Sequence, residues 1–394
     1  MFDVVFSFLS TLTTFIAGLV LNVFVLFGVT DITMFPISPA QEERIATTTL
    51  LSSPDTDTND SLPQKEVKEE DSPIALPNKE LSREEEIPLT PVPPAVITAG
   101  SSPVPIPPVV SDADLNIEAR AALVNIFCTM KEGDVLSSIT GSGVFIDPRG
   151  IILTNAHIAQ FFLLKDYTYE GYVNCLIRMG APAQPVFKAE PIYISFPWIE
   201  KNAHTLVEEN PKGTGEDDFA LLRITERVGS ATALPSTLAY MTPDTSESTL
   251  VKGAGVLLAA YPAGFLDGAI VQKNLWPGSA ISVIREIFTF ATDTLDLIST
   301  GGSVVAQKGS SGGEVVNMAT RKLIGIIVTS SEEDSTGDRD LRAITLSHIN
   351  RSMFSDIGMD LNAFLAGDPA ERQKDFQETR AASMRQILFS VLNR

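Results

Sequence analysis

The folded part of this 394-residue chain predicts an all-β fold, a barrel or a sandwich. Three observations carry that prediction. From residue 121 onward, short apolar runs alternate with turn residues. The spans between the runs are too rich in turns for the dozen-residue helices that parallel strands require. The hydrophobic content, 44%, is that of a chain able to build a core.

The elements follow in order. Ser111-Asp112-Ala113-Asp114 is a capping pattern that opens a short helix toward Ala119. Strands are predicted at 123–130, 141–147, 151–156, 172–179, 218–224, 255–261, 314–318 and 322–329. A turn, Asp147-Pro148-Arg149-Gly150, separates the second from the third. The 44 residues after Asn350 read as helices, beginning with FSDIGMDLNAFLA and ending in FSVLNR. Packing of these helices on the β-structure is one expectation; a role in oligomerisation or substrate gating is the other. Assembly into a homo-oligomer stays open.

Residues 4–30 are 27 residues without a charge, between Asp3 and Asp31. As a helix they span about 40 Å, enough to cross a hydrocarbon core of ~30 Å with some tilt. A cleaved signal peptide needs a basic start and a shorter apolar stretch. The expectation is a single-pass anchor in the lipid bilayer, with everything after residue 30 on the extracytoplasmic side. Residues 31–111 hold 14 of the 25 prolines, 14 acidic and 5 basic residues, a net of −9. Such a segment buries too little apolar surface to offset chain entropy, so a disordered, extended tether is expected. The domain reading is therefore anchor 1–30, linker 31–111, folded domain 112–350 and helical extension 351–394.

Charge and ligand chemistry exclude several functions. The formal net charge of −20 is the wrong sign for nucleic-acid phosphates. Two cysteines cannot make a four-thiolate zinc site, and no His-x-x-x-His spacing or phosphate-binding glycine loop occurs. No metal and no cofactor is expected. Cys128 and Cys175 fall on two predicted strands. Outside the cytoplasm a disulfide between them is expected; two buried free thiols is the alternative.

Any imidazole chemistry must use His157, His204 or His348. Three segments stand out. Thr154-Asn155-Ala156-His157 ends a hairpin. Glu216-Asp217-Asp218 directly precedes the apolar run Phe219-Ala220-Leu221-Leu222, where a carboxylate needs hydrogen bonds to offset desolvation. Lys308-Gly309-Ser310-Ser311-Gly312-Gly313 flanks a serine with glycines, which lets backbone N–H groups approach a bound carbonyl. Taken singly, each has an ordinary structural reading.

In this order, the three resemble the trypsin-like (chymotrypsin-fold) serine peptidases, most closely the bacterial HtrA/DegP-type branch. The matching residues are Gly141-Ser142-Gly143, Thr154-Asn155-Ala156-His157, Asp218-Phe219-Ala220-Leu221-Leu222 and Gly309-Ser310-Ser311-Gly312-Gly313. Ala260-Tyr261-Pro262-Ala263-Gly264 and the strand at 323–328 are similar as well. The resemblance covers about 121–350 and implies two antiparallel six-stranded β-barrels. It implies Ser311 as nucleophile, His157 as general base and Asp218 as the acid that orients it, with Asp217 the runner-up. A serine hydroxyl is hardly ionised at pH 7, so a base titrating near neutrality is required. The N–H groups of Gly309 and Ser311 would form the oxyanion hole. Val305, Val328, Thr329 and Ser330 would line the substrate site, and valine at the pocket floor predicts small or medium apolar rather than basic residues on the acyl side. Protein or peptide substrates are implied.

Departures are specific. Ser310 stands where many digestive members have an aspartate, so activation by a freed amino terminus is not expected. Glu314 stands where a proline is usual. The tail is too short for the ~90-residue PDZ module of HtrA-type enzymes, so a PDZ-less member is expected. His204 and His348 are read as surface or structural residues. Two rival readings remain: Gly309-Ser310-Ser311-Gly312-Gly313 as an α/β-hydrolase elbow served by His348, and a catalytically silent scaffold.

Overall fold

The structure, a computed structural model, describes residues 111–394 apart from 133–134, 209–210, 212, 291–292, 331–336 and 338. The expected membrane span at 4–30 and the tether lie outside the described residues, except for Ser111. Among the described residues no helix is long and apolar enough to cross a membrane.

Helix α1 (Asp112–Ala122) starts where the capping pattern places it. The Asp114 N–H donates to Ser111 Oγ and the Ser111 N–H donates to the Asp114 carboxylate. It runs past Ala119 because Leu115, Ala119 and Ala122 bury one face. Six antiparallel strands then close a barrel: β1 (Leu123–Glu132), β2 (Val135–Asp147), β3 (Ile151–Thr154), β4 (Val173–Met179), β5 (Gln184–Ile194) and β6 (Ala220–Arg227). Their order is β1-β2-β3-β6-β5-β4. The barrel interior holds fully buried Val124, Ile126, Phe145, Ile152 and Leu222, each worth about 1.5–3 kcal/mol of burial.

Register places Cys128 directly opposite Cys175 across β1 and β4, and a disulfide joins them. Replacing both by serine is expected to lower the unfolding free energy by about 2–4 kcal/mol, because the bridge closes a separation of 47 residues. Urea titration measures this, and an unchanged midpoint contradicts it.

The expected second six-stranded barrel is corrected by the structure. Seven strands form the second sheet: β7 (Gly255–Ala260), β8 (Gly278–Val283), β9 (Glu286–Phe288), β10 (Leu297–Gly301), β11 (Glu314–Asn317), β12 (Lys322–Ser330) and β13 (Leu341–Thr345). Their order is β8-β7-β11-β12-β13-β10-β9. The extra strand arises from a bend. β8 and β9 are consecutive segments at opposite edges of the sheet; between them Ile284 pairs with Ala254 beside β7, while the Arg285 N–H donates to Ser299 of β10.

Short helices complete the molecule: α2 (Ala156–Leu163), α3 (Phe196–Asn202), α4 (Gly268–Lys273), α5 (Leu346–Ile357), α6 (Leu361–Ala366), α7 (Pro369–Thr379) and α8 (Ala381–Leu392). The run FSDIGMDLNAFLA is not one helix. Gly358, left-handed at φ 68°, ends α5, and the Asp360 side chain caps α6. The boundary at 350/351 falls inside α5. Phe364, Phe376, Met384 and Leu388 join the core that fills the first barrel, so the tail helices pack on it. Asp356 at the end of α5 accepts from Tyr193 Oη and from Arg380, which ties the tail to β5.

Candidate active site

His157 sits in the first turn of α2, not at a strand end. Asn155 occupies the N-cap position but its side chain does not cap; its Nδ2 donates to the Asp218 carbonyl at 2.8 Å. The Asp218 carboxylate takes the capping role instead. Oδ1 accepts the His157 backbone N–H at 2.9 Å, and Oδ2 lies 2.7 Å from His157 Nδ1. A carboxylate near a helix N-terminus is favoured by the helix dipole. Because the carboxylate only accepts, Nδ1 must carry the proton, which leaves Nε2 of a neutral ring as a base. Asp218 is 5% exposed and His157 remains partly open to solvent.

Gly141 makes this placement feasible. A Cβ there would lie 2.8 Å from Ile158 Cδ1, so the glycine clears the space into which the residue after His157 packs.

The serine loop docks on the same edge through Ser142. The Ser142 N–H donates to the Ser311 carbonyl at 2.7 Å. Ser142 Oγ donates to the Gly309 carbonyl at 2.8 Å and accepts from the Tyr261 N–H at 2.9 Å. Thr154 Oγ1, three residues before His157, donates to the Ser142 carbonyl at 2.7 Å. Gly312 is held so close that a Cβ would lie 2.1 Å from the Ser142 oxygen and 2.6 Å from Thr154 Oγ1, and its φ is +82°. The Gly312 N–H donates to Ile327 and the Gly313 N–H to Ser310. Among the described residues the N–H groups of Lys308, Gly309 and Ser311 have no acceptor, and those of Gly309 and Ser311 lie two residues before the serine and on it. The Ser311 side chain is partly exposed, and among the described residues its hydroxyl makes no hydrogen bond, including none to His157. Such contacts tighten when substrate fills the site.

Glu314, three residues past Ser311, is fully buried with neither oxygen partnered among the described residues. Burial pushes its pKa well above the usual carboxylate value. Its charged form is therefore disfavoured beside the loop.

Two of the expected specificity residues are buried. Val305 has no exposed surface and packs with the second sheet's core beside Val256, Ile298 and Val315. Val328 is also buried; it fills the space where a Gly215 Cβ would stand, at 2.8 Å. β12 is buried on both faces here, so Val328 supports the loop carrying Asp218 rather than lining a groove. Thr329 and Ser330 continue β12 opposite Arg342 and Leu341, but their side chains lie outside the described part.

Two residues escaped the sequence reading. Ser142 carries no chemical signal of its own within Gly141-Ser142-Gly143, yet it ties the serine loop to the first barrel. His348, read as a surface or structural residue, lies between two acids: Nδ1 is 2.9 Å from Asp296 Oδ1, and Nε2 is 3.1 Å from Asp217 Oδ1. No sequence signal marks it, since those partners are 52 and 131 residues away. Its ring nitrogens face carboxylates, not Ser311, which removes the basis for the elbow reading. His204 is exposed and, among the described residues, pairs only with Glu208, 3.5 Å away. Among the described residues no cluster of three His, Cys, Asp or Glu side chains could hold a metal ion.

The fold and site thus combine a closed six-stranded barrel, a histidine gripped by a buried carboxylate and a glycine-rich serine loop. Residues 141–326 match the family model of the trypsin-like peptidase domain. Solved structures similar to this chain include "HtrA-type protease AlgW with tripeptide", at 19% identity and a TM-score of 0.39. A serine-to-alanine variant of the same protease, also with tripeptide, gives 19% and 0.40. Each match covers 64% of this chain and 65% of the other, so the chain spans less than two thirds of their length. No curated protein matches.

Proposed function

We propose that the chain is a serine endopeptidase tethered to a membrane. The two-point hold of Asp218 on His157, beside a serine loop in which the Gly309 and Ser311 N–H groups are uncommitted among the described residues, is the observation that carries it. Ser311 Oγ attacks the scissile carbonyl carbon as His157 Nε2 takes its proton. The resulting oxyanion accepts from the N–H groups of Gly309 and Ser311, each worth about 2.7–4 kcal/mol. His157 returns the proton to the leaving amine, an acyl-enzyme remains on Ser311, and water activated by the same ring hydrolyses it. Unfolded proteins or peptides outside the cytoplasm are the substrates. The Cys128–Cys175 disulfide supports an oxidising compartment, and the apolar stretch 4–30 followed by the acidic, proline-rich tether supports a bilayer anchor.

The missing Ser311–His157 hydrogen bond is the one observation that favours a catalytically silent module. A fluorophosphonate probe on the detergent-solubilised full chain decides between them. Labelling at Ser311 with turnover of unfolded casein is expected. Folded protein that neither labels nor cleaves overturns the proposal.

A further inference from the structure

Asp217, the residue before the proposed catalytic acid, is held by a separate set of charges. Its φ is 58°, a left-handed conformation that a residue with a side chain avoids unless its surroundings impose it. Asp217 Oδ1 accepts from Ser352 Oγ at 2.6 Å and faces His348 Nε2 at 3.1 Å. The other ring nitrogen faces Asp296 Oδ1 at 2.9 Å. Asp296 in turn accepts from Arg351 Nη2 and from the Phe290 N–H, both at 2.7 Å, and from Thr294 Oγ1 at 2.6 Å. Both imidazole nitrogens thus point at oxygens that only accept. A neutral ring satisfies one of them; the doubly protonated ring satisfies both.

We infer that His348 is a positioning residue for the peptidase chemistry: as an imidazolium it clamps Asp217 of the first barrel to Asp296 of the second sheet, and so fixes the adjoining Asp218 where it grips His157. This rests on the triad reading given above. Mechanically the link is short. Asp217 and Asp218 share a peptide bond, and the Phe219 N–H donates back to the Asp217 carbonyl at 2.9 Å. Among the described residues, charged groups approach the ring from three elements. Asp217 and Glu216 face it from the loop, with Lys201 on Glu216. Asp296 faces it from the segment before β10. Arg351 and Asp356 lie on its own helix, joined to Glu247 and Arg380. A cavity of about 460 Å³ borders the group, and the ring is 11% exposed, so solvent protons reach it.

Burial lowers the His348 pKa, but the hydrogen bonds and charges of Asp217 and Asp296 outweigh it and raise it above the usual imidazole value. A raised folded pKa means that the clamp is complete below about pH 6.5, the unfolded value, and is lost as pH rises through the folded value above it. Activity is therefore expected to fall on the alkaline side as His348 loses its proton.

The test uses the full chain in detergent, with wild type, Asp217→Asn, His348→Asn and Ser352→Ala. Ring NMR of the three histidines is expected to show His348 protonated on both nitrogens at neutral pH. Asp217→Asn can pair with a neutral ring, so it is expected to shift His348 titration downward and to detach the alkaline limb of kcat/KM from it. His348→Asn is expected to lower kcat on the order of 10–100-fold with KM unchanged, as for a small misplacement of catalytic groups. Should it fail to fold, Asp217→Asn, Ser352→Ala and the wild-type NMR carry the same test. A neutral His348 ring at pH 7, or unchanged pH profiles in folded variants, overturns the inference. A wild type that neither labels nor cleaves overturns the peptidase reading instead, and a doubly protonated ring would then mark a structural clamp only.

Discussion

Ser311→Ala is expected to leave a folded protein whose kcat for peptide hydrolysis has dropped on the order of 10⁶-fold. The size follows from the chemistry. Without the hydroxyl no acyl-enzyme forms, and His157 with Asp218 has no nucleophile to activate, so the group fails as a unit. The fold should tolerate the change, because Ser311 is tied in by its backbone. Its carbonyl accepts from Ser142, and its hydroxyl makes no hydrogen bond among the described residues. An unchanged melting temperature alongside lost turnover is the expected pair of results. A folded Ser311→Ala that cleaves within tenfold of wild type would remove this serine from the mechanism.

The second large effect belongs to Asp218→Asn. The replacement keeps an oxygen for the His157 backbone N–H, now accepted by Asp218 Oδ1 at 2.9 Å. It presents an NH₂ to Nδ1, where Oδ2 now lies at 2.7 Å. The ring then accepts at Nδ1 and carries its proton on Nε2, so it cannot take one from Ser311. A loss of about 10⁴ in kcat with little change in KM is expected, the size associated with the wrong histidine tautomer. Asp217→Asn is the internal control. It alters the neighbouring carboxylate, which faces His348 rather than His157, and should cost far less. If the two variants lose activity equally, the roles assigned to these adjacent acids are wrong.

Legibility in the sequence followed how local each cause was. Strands such as β3 and β12 are readable because continuous runs of apolar residues are buried along them. β5 was missed: its sequence QPVFKAEPIYI carries two prolines and mixed polarity, and pairing with β4 and β6 alone makes it a strand. β8, β9, β10 and β13 are short, and the weak patterns of β8 and β9 reflect exposed edge positions. α2 was read as the tail of a hairpin because its first turn is capped by a carboxylate 61 residues away, which no local pattern reveals.

By itself the sequence determined which residue types could carry chemistry, their order along the chain and the all-β character of the domain, because turn chemistry and the burial pattern of strands are short-range properties. It also determined the capped start of α1, whose two partners lie three residues apart. Only the tertiary structure decided that Asp217 turns away from His157, that Val305 and Val328 are buried, and that His348 bridges Asp217 and Asp296. Those outcomes depend on strand register and on side chains meeting across 50 to 170 residues of chain. Distances of that kind are set by how the whole core packs, not by any segment's own preference.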